Sequence, residues 1–331
     1  MSEVRARVIS QEKGLYKISC GAEVKQAAVS GKFRFDAQTV SDFPAVGDYV
    51  LAEWPETDDP AVIRSLFPRT SCFLRKAAGS AKQEQIVAAN IDTVFLCMSL
   101  NQNFNLRRLE RYLTCAYDSG AEPVVVLTKA DLCPDVAEKI AEVRTAAPGV
   151  EVLTVSSLAG DFDAVLPYIL PGKTIAFLGS SGVGKSTLMN RLLGEDALAT
   201  GAIGTGDKGR HTTTHRELVA LPNDAFLIAT PGMRELGLWD SEGGIDAAFE
   251  DVDALTRACR FSNCTHPSEP GCAIIQALSN GTLDAARWQS YRKLKAENAS
   301  AADKSRYLEA KREKFRTIAK VNKANKKGGR A

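Results

Sequence analysis

Three short stretches carry the side chains able to do chemistry. "GSSGVGKST" supplies Gly179, Ser180, Ser181, Gly182, Val183, Gly184, Lys185, Ser186 and Thr187, and its first eight residues fit G-x-x-x-x-G-K-[ST]. Glycines let backbone N–H groups face phosphate oxygens, and a helix beginning at the lysine adds a favourable dipole. Lys185 is then expected to reach β- and γ-phosphates and Ser186 to ligate Mg²⁺. "LTKADL" places Thr128, Lys129, Ala130 and Asp131 at the end of an apolar run. Asp131 offers a carboxylate able to accept hydrogen bonds from guanine N1–H and N2–H₂, donors that adenine does not present together. Lys129 would lie along the base, and the backbone of "TVSS" (154–157) would meet guanine O6. Alone, this tetrapeptide also reads as a surface lysine and a helix-capping aspartate. The third stretch is Cys259-x₄-Cys264-x-His266-x₅-Cys272. Three thiolates and an imidazole suit one tetrahedral, structural Zn²⁺ with no open position. The competing reading is reduced thiols packed in a small domain, but a segment this rich in Gly and Pro has little apolar surface to hold itself together.

These groups need elements to carry them, and the chain of 331 residues is long enough for two or three domains. Residues 1–68 read as short strands ("VRARVIS", "LYKISC", "EVKQAAVS", "DYVLAEW", "AVIRSLF") broken by Gly- and Pro-rich joins. Such spacing predicts a small β-barrel, with a five-stranded OB-fold the first choice. Over 82–238 strands alternate with helices, which predicts a mainly parallel α/β sheet. "NLRRLERYLTCAYDSG" places Leu106, Leu109, Leu113 and Tyr117 on one helical face. Residues 239–331 contain the cysteine cluster, further helical segments and a basic tail, and the whole reads as a multidomain protein.

Composition is that of a globular chain, 44% hydrophobic and 25% charged, with no apolar run of membrane-spanning length and no secretory leader pattern at the start. A cytoplasmic monomer with no membrane partner is expected. From Arg287 onward there are 15 Lys+Arg against 4 Asp+Glu, a net of +11, while the remainder has 27 against 36, a net of −9. An acidic body with a basic tail points to a polyanionic partner, weighed against a merely solvated end. Five further cysteines (Cys20, Cys72, Cys97, Cys115, Cys133) are scattered, mostly among apolar neighbours, and read as reduced core residues.

Order along the chain is the informative feature. The guanine-reading element ordinarily follows the phosphate loop, yet here it precedes it by about fifty residues. "KGRHTTT" and then "ATPGMRE" come after. That is a circularly permuted GTPase order, with base-reading loops first, then phosphate loop, switch I and switch II. In it Ala229 stands where switch II usually has a Mg²⁺-supporting aspartate, and Thr128 stands where asparagine is usual.

This order, together with "SGKFR", "PAVGDYV", "NLRRLERYL", "GRHTTT", "TPGMRE" and "HPSEPGCA", resembles the ribosome small-subunit-dependent GTPase A family over nearly the full chain. The resemblance implies an OB barrel, a circularly permuted P-loop GTPase domain and a zinc-bearing helical domain. It implies hydrolysis of GTP to GDP and phosphate in late maturation of the small ribosomal subunit, stimulated by that subunit and involving contact with its rRNA. Carried over by position, 128–131 and Gly179–Thr187 would bind GTP or GDP, and Thr212 or Thr213 would supply the switch I hydroxyl to Mg²⁺. His211 is the candidate to position the attacking water, since Met233 follows the switch II Pro-Gly; a solvent-facing loop histidine is the plainer reading. His211, Thr212, Thr213 and Lys185 are thus the candidate catalytic residues. Arg234 leads almost directly into the zinc domain, so a nucleotide-dependent shift of switch II would move that domain. Two alternatives stand beside this. One is a nucleotide-gated RNA-binding factor with little turnover because of Ala229, unless Glu235 or Asp207 replaces the missing acid. The other is an ATP-dependent enzyme, which would make Asp131 coincidental.

Overall fold

The computed structural model describes residues 2–12, 14–76, 84–156, 160–194, 217–229 and 242–300. Its first strands, β1 (Ser2–Glu12), β2 (Leu15–Cys20), β3 (Glu23–Val29), β4 (Tyr49–Trp54) and β5 (Ala61–Leu66), form a barrel in the order β1-β2-β3-β5-β4, which closes where β4 returns antiparallel to β1. Alternation drives the closure. Strand β4 buries Val50, Ala52 and Trp54 and leaves the residues between them half-buried, as a strand with one core face requires. A short helix, α1 (Gly31–Asp36), follows β3.

A hairpin of β6 (Cys72–Lys76) and β7 (Glu84–Ala89) comes next. It is not among the elements expected from the sequence, since neither run shows a sustained alternation. Tertiary packing holds it, with Phe73, Val87 and Ala88 buried in the central core.

The α/β unit contains β8 (Thr93–Ser99), β9 (Glu122–Thr128), β10 (Glu151–Val155), β11 (Thr174–Gly179), β12 (Glu217–Ala220) and β13 (Phe226–Ala229). The order is β10-β9-β8-β11-β13-β12, parallel except for β12. Every residue of β8 and β11 is buried, which explains their continuous apolar runs, because helices cover both faces of such a sheet. Three helices belong to this unit, α2 (Leu106–Ser119), α3 (Val136–Ala146) and α4 (Lys185–Leu193). Helix α2 is capped by the Asn105 side chain and ends at Gly120 with φ of +81°. Leu109 and Leu113 are buried in the central core, and Leu106 and Tyr117 pack against it.

Two seams join this unit to its neighbours. Strand β1 pairs with β12 through Ser10 and Glu217, which makes barrel and α/β sheet one sheet of eleven strands. At the same seam the buried Arg7 guanidinium donates to Thr174 Oγ1 (2.5 Å) and Asn90 O (3.4 Å), and it lies over the rings of Tyr49 and Phe226.

The C-terminal helices α5 (Glu242–Ala248), α6 (Glu250–Arg257), α7 (Ala273–Ser279) and α8 (285–300) form the second neighbour. Helix α5 meets α2 so closely that a Cβ on Gly244 would lie 2.4 Å from the Thr114 carbonyl oxygen. Arg287 of α8, 3% exposed, donates to Glu110 Oε1 (3.1 Å), Asp251 Oδ1 (2.6 Å) and the carbonyls of Ala146 and Ala248. Burial raises the Glu110 pKa above the ordinary carboxylate value, opposed by Ser290, Arg107 and Arg287. Arg111 and Glu297 add a bidentate pair across the same seam. No helix among the described residues is long and apolar enough to cross a membrane.

Removing one member of a buried ion pair strands its partner, at a typical cost of about 3–5 kcal/mol. Arg287→Ala is therefore expected to lower stability by about that amount, read as an earlier urea midpoint. A change under about 1 kcal/mol, the range of an exposed pair, would show that this seam is not held by Arg287.

Candidate functional site

The loop from β11 into α4 begins at Gly179, whose backbone lies against the end of β8. A Cβ there would sit 2.5 Å from the Cys97 carbonyl oxygen, so no other residue fits without shifting the strands. Gly182 and Gly184 adopt φ of +75° and +99°, left-handed values that turn the loop back on itself. Lys185 opens α4 and donates from Nζ to the carbonyls of Gly179 (2.6 Å) and Ser180 (2.7 Å). Ser186 and Thr187 follow in the first helical turn. Cys97 beneath the loop is buried, and burial pushes its thiol up to about 12, so it is an inert core residue as expected.

Strand β9 delivers the tetrapeptide of residues 128–131 to the same edge. The Thr128 hydroxyl donates to the Val183 carbonyl (2.5 Å), and Lys129 Nζ donates to the Gly182 carbonyl (2.8 Å). Lys129 adopts φ of +58°, which turns the chain sharply before the short 3-10 helix of Ala130–Leu132. Asp131 Oδ1 accepts a 2.5 Å hydrogen bond from Ser156 Oγ, just after β10. Residues more than fifty positions apart thus form one polar rim, and the threonine at position 128 braces the loop with its hydroxyl. The sequence assigned a backbone role to 154–157 and missed the Ser156 hydroxyl. It also missed Asn103 and Arg108, whose side chains contact Ser180 Oγ at 3.0 Å each. Arg108 lies within "NLRRLERYL", one of the stretches that carry the resemblance, but nothing there pointed to this contact, and no motif marks Asn103.

Ala229 is the last residue of β13 and is buried, its methyl offering no ligand atom. His211, Thr212, Thr213, Asp207, the switch II run 230–235 and the basic tail beyond 300 lie outside the described residues.

Far along the chain, Cys259, Cys264, His266 and Cys272 bring their ligand atoms within 4.8 Å of one another. Cys259 and Cys272 sulfurs are 3.9 Å apart, and each is 3.5 Å from His266 Nδ1. With Zn–S near 2.3 Å and Zn–N near 2.0 Å, tetrahedral geometry requires edges of about 3.8 and 3.5 Å, which Cys259, His266 and Cys272 match, and Cys264 lies within 4.8 Å of them. His266 reaches its place with φ of +66°, and its ring meets the edge of Trp288 on α8 at 5.4 Å. Burial acts to raise the Cys259 pKa, but the N–H groups of Ala273 and Ile274 at the start of α7 bring it below the ordinary thiol value. Glu269 accepts from the Thr265 hydroxyl and amide, which hold its carboxyl down to about 2 and tie the loop together.

If the four ligands hold one structural metal, Cys264→Ala should release about one equivalent of zinc. It should also expose the Trp288 environment to solvent, read by fluorescence, with nucleotide affinity largely retained. A variant that keeps wild-type zinc content would contradict this ligand set.

Comparison with known proteins agrees with this geometry. The model of the family described as RsgA GTPase matches residues 66–239. A protein of Lactiplantibacillus plantarum named small ribosomal subunit biogenesis GTPase RsgA 2 is 48% identical over 93% of this chain and 87% of its own length. One from Oceanobacillus iheyensis, small ribosomal subunit biogenesis GTPase RsgA 1, is 39% identical over 98% of this chain and 94% of its own. Among solved structures, YjeQ from Thermotoga maritima superposes with a TM-score of 0.65 at 25% identity, covering 88% of this chain and 97% of that one. YloQ, described as a circularly permuted GTPase, shares the fold with a TM-score of 0.63, covering 90% of this chain and 96% of its own. The chain therefore belongs to the RsgA GTPase family, enzymes that hydrolyse GTP.

Proposed function

We propose that this protein binds GTP at the rim formed by 128–131, Ser156 and Gly179–Thr187, hydrolyses it to GDP and phosphate, and does so in the cytoplasm during late maturation of the small ribosomal subunit, which stimulates the reaction. The observation that carries this is the hold of Thr128 and Lys129 on a phosphate loop that follows them in the chain, with Asp131 fixed close by through Ser156. Asp131 would accept from the guanine edge, with one oxygen held in place by Ser156. Lys129 would cover the base while bracing Gly182. Loop amides and Lys185 would receive the phosphates, Lys185 turning from the carbonyls of Gly179 and Ser180. Mg²⁺, held by Ser186 and a switch I threonine (Thr212 or Thr213), would neutralise charge on the β- and γ-oxygens. His211 is the residue proposed to orient the water. The relatives' names point to the small ribosomal subunit as partner; basic side chains would contact its rRNA mainly through phosphates. The zinc set would hold the C-terminal loop in shape.

A second reading is favoured by Ala229. With a methyl group where switch II usually has its acid, the protein would be a nucleotide-gated rRNA-binding factor of low turnover. A supporting group that acts on a metal through water is worth about 10–100-fold in metal affinity or activity. Ala229→Asp is accordingly expected to raise hydrolysis and tighten Mg²⁺ dependence by about that factor. Phosphate release by both forms, measured with and without purified small subunits, decides between the readings. Equal rates for the two forms, both raised by subunits, would leave the first reading and remove the second. No stimulation by subunits in either form would reject the first.

Base choice has its own test. Asp131→Asn presents a donor to guanine donors, so GTP affinity should fall on the order of 100-fold, the worth of about two charge-assisted hydrogen bonds. Xanthine nucleotide should bind the variant better than GTP does. Unchanged GTP affinity would remove Asp131 from the base pocket.

A further inference from the structure

Two nitrogen donors converge on the Ser180 hydroxyl, Asn103 Nδ2 at 3.0 Å and Arg108 Nη1 at 3.0 Å. The same Arg108 nitrogen lies 2.7 Å from Asn103 Oδ1, so guanidinium, carboxamide and hydroxyl close a triangle. The support beneath it is firm. Asn105 caps α2 by accepting the Arg108 N–H at 3.0 Å, and Asn101 Oδ1 accepts from Ser99 Oγ (2.9 Å) and the Asn103 N–H (3.0 Å). This run follows β8, the strand beside β11, and so lies next to the phosphate loop.

Braces on the loop divide into two sets. Thr128 and Lys129 hold its carboxy-terminal half at Val183 and Gly182. The amino-terminal half is held at Gly179 and Ser180 by Lys185, through their carbonyls, and at Ser180 Oγ by Asn103 and Arg108. A lysine that serves a phosphate has to leave those carbonyls. Among the described residues, the Ser180 hydroxyl is then the side-chain attachment that remains on this half, beyond the sheet pairing of Gly179. Resting on the reading of this loop as a nucleotide site, we propose that Arg108, with Asn103, is a positioning residue that keeps the amino-terminal half of the phosphate loop in its nucleotide-receiving shape through the Ser180 hydroxyl. Loop amides aimed in advance lose less on binding than amides that must be ordered, and a half-buried cation at this edge adds attraction for a polyphosphate.

The test is binding of fluorescent GDP and of a non-hydrolysable GTP analogue to the full-length protein with Mg²⁺. Arg108→Ala and Ser180→Ala should each weaken both nucleotides by about 10-fold, the worth of one hydrogen bond from a charged group. The double variant should lose no more than about the same factor, because both substitutions break one linkage. Arg108→Lys, which keeps a charge and a donor, should recover part of the loss. The unfolding temperature should stay within about 1 °C of the wild-type value. Wild-type affinity in Arg108→Ala overturns the proposal. So do losses that multiply in the double variant, or a loss that merely follows a fall in unfolding temperature and is absent from Ser180→Ala. Should Arg108→Ala fail to fold, Asn103→Ala paired with Ser180→Ala makes the same comparison. Failure of the wild-type protein to bind guanine nucleotide would instead remove the nucleotide reading beneath the proposal.

Discussion

The contact on which the site depends is the approach of Gly179 to the Cys97 carbonyl. Strands β8 and β11 run parallel with those two residues in register, and a Cβ at 179 would collide with backbone. Because β11 ends at Gly179 beside Cys97 and β8 ends soon after, at Ser99, the loops that follow them emerge side by side. The same sheet sets Ser99 opposite Thr128, so the loops after β8, β9 and β11 all open at one edge. Ligands of open α/β sheets bind at such carboxyl ends. The braces that Thr128, Lys129, Asn103 and Arg108 place on the phosphate loop follow from this alignment.

Chain permutation leaves that edge intact because pairing, and not chain order, decides which loops are neighbours. It does change what lies at the ends. Strands β13 and β12 follow β11 in the sheet, and β12 pairs with β1 of the barrel. The described residues thus link the barrel directly to the strand that follows the switch I segment. On the other side, Arg287, Arg111 and Gly244 fasten the C-terminal helices to α2. The first turn of that same helix carries Arg108. A movement of α2 would therefore be felt both by the phosphate loop and by the zinc-ligand region.

The cysteine cluster obeys a different constraint. Its loop has short helices on either side and few apolar side chains of its own, and Cys259, Cys264, His266 and Cys272, which could hold a metal ion, gather there with Glu269 tying the loop and Trp288 against His266. Ligand spacing of 3.5 to 3.9 Å among sulfur and nitrogen is what a metal-sized tetrahedron demands. Arg287 neighbours Trp288 on α8, so the metal-ligand loop and the ion-pair seam share one helix.

Local chemistry made much of this legible in the sequence. A phosphate loop is written as glycines, a lysine and a serine at fixed spacing, and a tetrahedral set as three cysteines and a histidine, because each needs particular residue types. Barrel strands showed themselves through alternation, and β8 and β11 through unbroken apolar runs. Other features had no such signal. The β6–β7 hairpin is held by what Phe73 meets in the core, and its own composition does not predict it. The hydroxyl of Ser156 and the side chains of Asn103 and Arg108 are ordinary polar groups whose importance arises only when the sheet brings them to one edge, and the sequence singled out Thr128 without showing that its hydroxyl reaches Val183. The Arg7 and Arg287 clamps were equally silent, since a lone arginine in a sequence reads as a surface charge until its carbonyl and carboxylate partners are known. Residue type determined which groups could do chemistry; the parallel register of the sheet decided which of those at the phosphate-loop edge meet, because backbone pairing there brings positions about fifty residues apart within hydrogen-bond reach.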